Sequence, residues 1–259
     1  ATATARVLDG HLPAAEVGEF GAERAVPVEK RRAVQGHGAN LASRLHTITR
    51  MPTVSLAAAD SALRADAVVV GVRQTKSGGQ LAPGAEQVDK ALKGRLTKAL
   101  DALGAKGKPD EVAKIPTLGL AEFPLVVATG LGDDPADPEA ARRAVGAAIR
   151  GLSRSRRVHV AIDAPVGALA EGALLGAYRF NDYKSNSAKD ALRTVTLPSS
   201  SGDRAELRRA ITVAEAVVLT RNLVNTPPND LYPQTFADRA AALAAERGLG
   251  VEILDERAL

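Results

Sequence analysis

The sequence predicts an α/β layer fold, with helices covering a mixed, largely parallel sheet. Two observations carry the prediction. From Met51 onward, short apolar runs that read as buried strands alternate with longer stretches of 3.6-residue periodicity. Gly, Pro and Asp stand between the runs, where chain reversals need permissive or capping residues.

Taken in order, Thr53–Leu56 reads as a short strand and Ala67–Val72 as a buried one, rich in Val. Gln74–Gly84 is polar and Gly-rich and reads as a loop. Glu86–Leu103 reads as one helix, since Val88, Leu92, Leu96, Ala99 and Leu103 share a face. Gly104–Pro109 breaks it. Val112–Ile115 and Leu125–Thr129 are the next strands, the second running into Gly130-Leu-Gly132. Asp137-Pro138-Glu139 supplies an N-cap, a proline at the first helical position and an acid near the positive helix end, so a helix is predicted to about Leu152.

Val158–Ile162 follows as a strand, and a helix from Val166 places Leu169, Ala170, Ala173 and Ala177 on one side. Leu192–Leu197 alternates as a strand. Asp203 with Glu206 resembles a capping box at the start of a helix striped by Leu207, Ile211, Ala214 and Val218. Pro227-Pro228 stops that helix, because proline lacks the N–H and restricts the residue before it. Gln234–Arg247 is a further helix, Gly248 and Gly250 end it, and Val251–Leu254 is a strand without an evident partner.

The 259 residues leave room for one large or two modest domains. Residues 1–50 lack either periodicity and read as disordered, an extension preceding a start at Met51, the one methionine. A targeting arm is the rival reading, but Asp9, Glu16, Glu19, Glu23 and Glu29 are too acidic for a transit peptide. There is no Cys, which excludes a disulfide scaffold, a thiolate metal site and a Cys nucleophile. No apolar run approaches the roughly 20 residues that span a bilayer. No membrane role and a cytoplasmic location are the expectation. A net charge of +4 with scattered cations argues for solubility more than for nucleic acid.

No catalytic constellation stands out, and no catalytic, cofactor-binding or metal-ligating residue is assigned. Gly130 and Gly132 lie between strand and helix, where a phosphate could sit, but Pro135 replaces the third glycine of G-x-G-x-x-G and Asp133 and Asp134 repel anions. Gly104-Ala-Lys-Gly-Lys108 misses the P-loop spacing. Asp133, Asp134, Asp137 and Glu139 crowd together, mostly in service of a helix start. His11, His37, His46 and His159 show no ligand spacing. Ser199-Ser-Ser-Gly202 is a loop without the G-x-S-x-G elbow. Arg154, Arg156 and Arg157 lack an aromatic platform and suit a solvated helix end.

The string Asn222 to Tyr232, Asn-Leu-Val-Asn-Thr-Pro-Pro-Asn-Asp-Leu-Tyr, reads on physical grounds as an interdomain elbow. It also resembles the domain junction of the leucyl aminopeptidase (M17, cytosol aminopeptidase) family. Glu171–Lys184 is similar to a helix and turn of that family's N-terminal domain, and Val251–Leu259 to the first strand and helix start after the junction. The resemblance implies a three-layer, macro-domain-like N-terminal unit over 51–200. It implies a linker helix over 201–226 and the beginning of a truncated catalytic α/β domain over 227–259. It implies a homohexameric parent enzyme that removes N-terminal residues from peptides with two divalent metals (zinc, manganese or magnesium). The family's G-K-G-x-x-F-D and N-T-D-A-E-G-R strings do not occur, so the chain alone is expected to be inactive and metal-free. Two other readings compete. One is a free-standing macro-like module for an ADP-ribose-type ligand; the other is a basic adaptor for nucleic acid, with steep salt dependence as its signature.

Overall fold

The computed structural model describes residues 4–8, 51–57, 64–152, 154–184, 192–198, 203–255 and 258. Within 46–222 a seven-stranded mixed sheet is built from β2 (Thr53–Ala57), β3 (Ala67–Thr75), β4 (Gly78–Leu81), β5 (Val112–Pro116), β6 (Leu125–Gly132), β7 (Arg157–Ala161) and β8 (Thr194–Pro198). The order is β2-β8-β7-β3-β6-β5, with β4 also on β3. The pairs from β2 to β6 are parallel, while β5 and β4 pair antiparallel. The predicted fold class is the observed one.

Strand β3 sits at the centre because its side chains are apolar on both faces. Val68, Val70 and Val72 enter one cluster with Leu96, Leu100 and Phe123. Val69 enters the other, beside Val145, Ile149, Leu169 and Ala173. A strand buried on both sides must be covered twice. Helices α1 (Glu86–Ala91) and α2 (Leu96–Ala102) contribute to the first cluster. Helices α3 (Pro138–Arg150), α4 (Val166–Gly176) and α5 (Asp203–Asn225) contribute to the second.

The single helix expected over Glu86–Leu103 is two. Lys93 (φ 57) and Gly94 (φ 72) take left-handed conformations between them, and Asp89 Oδ1 accepts the Leu96 N–H at 3.0 Å. The loop expected over Gln74–Gly84 is largely a hairpin, β3 running on to Thr75 and turning at Gly78 (φ 125) into β4. Helix α3 starts as its sequence dictates, Asp137 accepting from the Glu139 and Ala140 amides at 2.9 and 3.2 Å. Glu206 reaches beyond its own helix: its Oε1 accepts the Gly167 N–H at 3.0 Å, in the first turn of α4, while the residues before Asp203 that would complete a cap lie outside the described residues.

The second unit comprises residues 1–45 and 223–259. There α6 (Pro233–Arg247) ends at Gly248 (φ 67), and β9 (Gly250–Leu254) pairs antiparallel with β1 (Thr4–Leu8). Strand β9 therefore has a partner, supplied by five residues of the segment that reads as patternless. The helix start expected after Asp255 lies largely outside the described residues.

Candidate functional site

Open α/β sheets bind ligands outside the carboxyl ends of their parallel strands. In this protein that position falls at Thr129–Gly132, where β6 leads towards α3. The strand is not free there. Residues 104–111 lie across it: the Gly130 amide donates to Glu111 O and the Gly132 amide to Gly107 O, both at 2.9 Å. A Cβ on Gly130 would come within 1.8 Å of Lys108 O, so glycine is what lets the two backbones meet. Glu111 turns its carboxylate back to accept from the Lys106 and Lys108 amides at 2.9–3.1 Å. Amides that could hold a phosphate already hold this carboxylate or a carbonyl oxygen. Between Gly107, Glu111 and Gly130 no water-sized space remains.

Outside this seal an open cleft of about 170 Å³ lies between Pro109, Gly132 and the first turn of α3, below the 300–1,000 Å³ of ordinary ligand sites. Four of its five acids are occupied. Asp137 caps α3, Asp134 Oδ1 accepts from the Ala136 amide at 3.0 Å, Glu139 pairs with Arg142, and Asp110 pairs with Arg143 at 2.6 Å. Among the described residues no three His, Cys, Asp or Glu side chains come together to hold a cation. A two-metal hydrolase needs such a cluster. The described residues do not supply one.

The remaining candidates are spread apart. Burial depresses the His159 imidazole below its ordinary value, as befits a packed histidine in β7. The backbone amides of Arg156 and Arg157 and the Arg157 guanidinium converge on one carboxylate, while the side chains of Arg154, Arg156 and Arg157 stay exposed, as solvated cations do. Asp66 accepts from the two amides (2.8 and 2.9 Å) and from the Arg157 guanidinium (3.2 Å). Burial alone would raise Asp66; these donors outweigh it and hold its carboxyl below the usual range. His11, His37, His46 and Ser199–Gly202 lie outside the described residues.

The two strings that sequence inspection singled out prove better ordered. In the first, Tyr178 Oη donates to Asn222 Oδ1 at 2.9 Å, joining the end of α4 to α5. In the second, α5 stops at Asn225, and the Asp230 and Leu231 amides donate to Pro227 O at 3.0 and 2.9 Å. Thr235 Oγ1 then accepts the Tyr232 N–H at 3.0 Å and opens α6. Both strings fix backbone at helix ends.

Residues 69–187, spanning β3 to the end of the Glu171–Lys184 string, match the family model described as the cytosol aminopeptidase family, N-terminal domain. The chain carries that family's N-terminal domain. It is 44% identical over 236 residues to a probable cytosol aminopeptidase of Streptomyces coelicolor, covering 80% of this chain and 46% of the relative. A probable cytosol aminopeptidase of Rhodococcus jostii is 40% identical over 207 residues, covering 76% and 41%. The chain thus spans about half the length, or less, of the curated cytosol aminopeptidases it matches. Among solved structures, a tomato leucine aminopeptidase mutant shares the fold, with a TM-score of 0.62 at 22% identity over 77% of this chain and 44% of that one. The bottromycin maturation enzyme BotP is 28% identical with a TM-score of 0.53, covering 72% and 38%. Among the described residues no helix is long and apolar enough to cross a membrane.

Proposed function

We propose that this chain is the N-terminal, assembly-directing portion of a metal-dependent leucyl aminopeptidase that releases N-terminal residues from peptides in the cytoplasm. The observation that carries the reading is the family match over 69–187, joined to relatives named as probable cytosol aminopeptidases. The sealed end of β6 supports it from the other side, because the Gly130 and Gly132 amides, where the phosphates of an ADP-ribose-type ligand would sit, already donate to Glu111 O and Gly107 O. The chemistry, with two divalent ions such as zinc, manganese or magnesium, belongs to residues outside this sequence. A manganese complex of BotP among the similar structures supports a divalent ion. The parent assembly is a homohexamer, and neither membrane nor nucleic acid takes part.

The test is hydrolysis of leucine-p-nitroanilide with added Mn²⁺ or Zn²⁺. It is run on this chain alone, and on the chain mixed with a separately produced segment carrying the G-K-G-x-x-F-D and N-T-D-A-E-G-R strings. The expected result is silence alone and turnover on mixing. Turnover by the 259 residues alone would overturn the claim that the metal centre lies elsewhere.

A further inference from the structure

The outer strands of the sheet, β2 and β5, differ in character. Sheet edges are guarded against unwanted pairing by lysine, proline or irregular backbone. Strand β5 follows that rule. It carries Lys114 and Pro116, both exposed, and the Lys114 ammonium donates to Gly151 O at 2.6 Å. Strand β2 has no such guard. From Met51 to Ala59 there is no charged side chain, and Thr53–Ala57 contains neither proline nor glycine. Among the described residues β2 pairs with β8 alone.

The backbone of that edge is self-complementary. Successive residues of a parallel strand aim their N–H and C=O groups to alternate sides. The Thr53 amide points towards β8, donating to Arg193 O at 2.8 Å. Ser55 and Ala57 share its side, which leaves Val54 and Leu56 with N–H and C=O directed outwards. An antiparallel copy centred on Ser55 sets Val54 opposite the partner's Leu56 and Leu56 opposite the partner's Val54. Each such pair exchanges both of its hydrogen bonds. The side chains agree with the backbone. Val54 is buried and Leu56 partly buried in the cluster that includes Leu207 and Ala210, so the match continues the covered face into the second sheet. On the other face the exposed Ser55 meets the partner's Ser55, and no like charges oppose each other.

We infer that the outer edge of β2 is where a second copy of this chain pairs, antiparallel about Ser55, joining two sheets into one. A two-fold contact uses the same patch twice and closes on itself. It gives the assembly proposed above a surface and stands apart from the peptidase chemistry, since the hydrolysis assay reads one and the edge measurements read the other.

The chain has no Cys, so a single substitution introduces the sole thiol. At the two-fold, Ser55 and the partner's Ser55 form a non-hydrogen-bonded pair with Cα atoms about 4.5 Å apart, within disulfide reach. Thr53 and the partner's Thr53 would be about 13 Å apart, beyond it. Mild oxidation is expected to give a covalent dimer from Ser55→Cys and almost none from Thr53→Cys. Both positions are exposed, and circular dichroism checks that each variant folds. No dimer from folded Ser55→Cys, or equal yields from the two, would overturn the inference. Amide exchange on the unsubstituted chain reads the backbone itself. Val54 and Leu56 are expected to slow as concentration rises, while Ser55, on the side bonded to β8, stays slow throughout. Ser55→Lys sets like charges opposite each other and should restore fast exchange at Val54 and Leu56 with an unchanged melting temperature. Rates at Val54 and Leu56 that do not vary with concentration would refute the pairing, whether constantly fast or, with the edge covered inside one chain, constantly slow.

Discussion

Gly172→Ala places a methyl group where α4 crosses α3. A Cβ there would lie 2.4 Å from Arg142 O, a backbone atom one turn of α3 cannot move alone. Ordinary contact begins near 3.4 Å, so the helices must part by about 1 Å, and their buried faces (Ala141, Ala144, Val145, Ala148 against Leu169, Ala170, Ala173) lose contact together. Overpacking of this kind costs about 1–3 kcal/mol, sometimes more. Against it stands the gain of replacing a helical glycine by alanine, about 1 kcal/mol. Gly146 offers the control. It sits in α3 at the same crossing, but its Cβ would meet only Gly172 O, at 3.4 Å. Gly146→Ala is therefore expected to be neutral or stabilising by up to about 1 kcal/mol, since propensity acts there unopposed. The net loss for Gly172→Ala is about 0–2 kcal/mol, a fall in Tm of up to roughly 8 °C for a domain of this size, against no fall for Gly146→Ala. Urea and thermal melts followed by circular dichroism read both. Equal shifts in the two variants would refute the close-crossing argument, because propensity alone predicts them to be identical.

Asp66→Asn removes the carboxylate that binds Arg156 and Arg157, and should cost about 1–2 kcal/mol near neutrality. Because its folded pKa is depressed, that stabilisation exists above the ordinary carboxylate value and is lost as pH falls through the folded one; urea midpoints of wild type and variant should converge in strong acid. Asp137→Ala deletes both cap contacts of α3 and should cost about 1 kcal/mol, whereas Asp137→Asn should cost almost nothing; equal losses would place the effect in charge and not in the cap. Gly130→Ala drives a methyl into Lys108 O and should lift residues 104–111 off β6; amide exchange at Gly132 would accelerate, and an unchanged Gly132 rate would refute the seal.

What sequence inspection recovers is local. The start of α3 was legible because Asp137, Pro138 and Glu139 are adjacent and each has one physical task. The α/β class was legible because β3 is apolar on both faces. The break between α1 and α2 was not, since Val88, Leu92, Leu96 and Leu100 keep their spacing and are all buried straight through it. The hairpin at Gly78-Gly79 was hidden because glycine shows no alternation; a Cβ on Gly79 would strike Ala105 O at 2.4 Å, a contact that only the folded chain reveals. The same limit applies to the seal. Gly130 and Gly132 suggest a ligand loop until one knows that Gly107 and Glu111 occupy their amides. The contact of Glu206 with Gly167 was not legible, because only the folded structure brings the two together. Tyr178 and Asn222 were each noticed, in separate strings, but nothing in either predicts their meeting.

The outermost parallel pair of the sheet carries a consequence for how the protein is made. Strand β2 is the first of its sheet to leave the ribosome, yet its neighbour β8 comes about 140 residues later. Until then β2 has nowhere to go, while β3 to β7 can pair among themselves in short order. Assembly should accordingly spread outward from the middle, with the edge annealed last and only after Thr194–Pro198 is synthesised. A strand with one apolar face, Val54 and Leu56, kept waiting that long invites intermolecular pairing. Slower translation or a nick between Lys184 and Leu192 should thus appear as aggregation before it appears as lost stability.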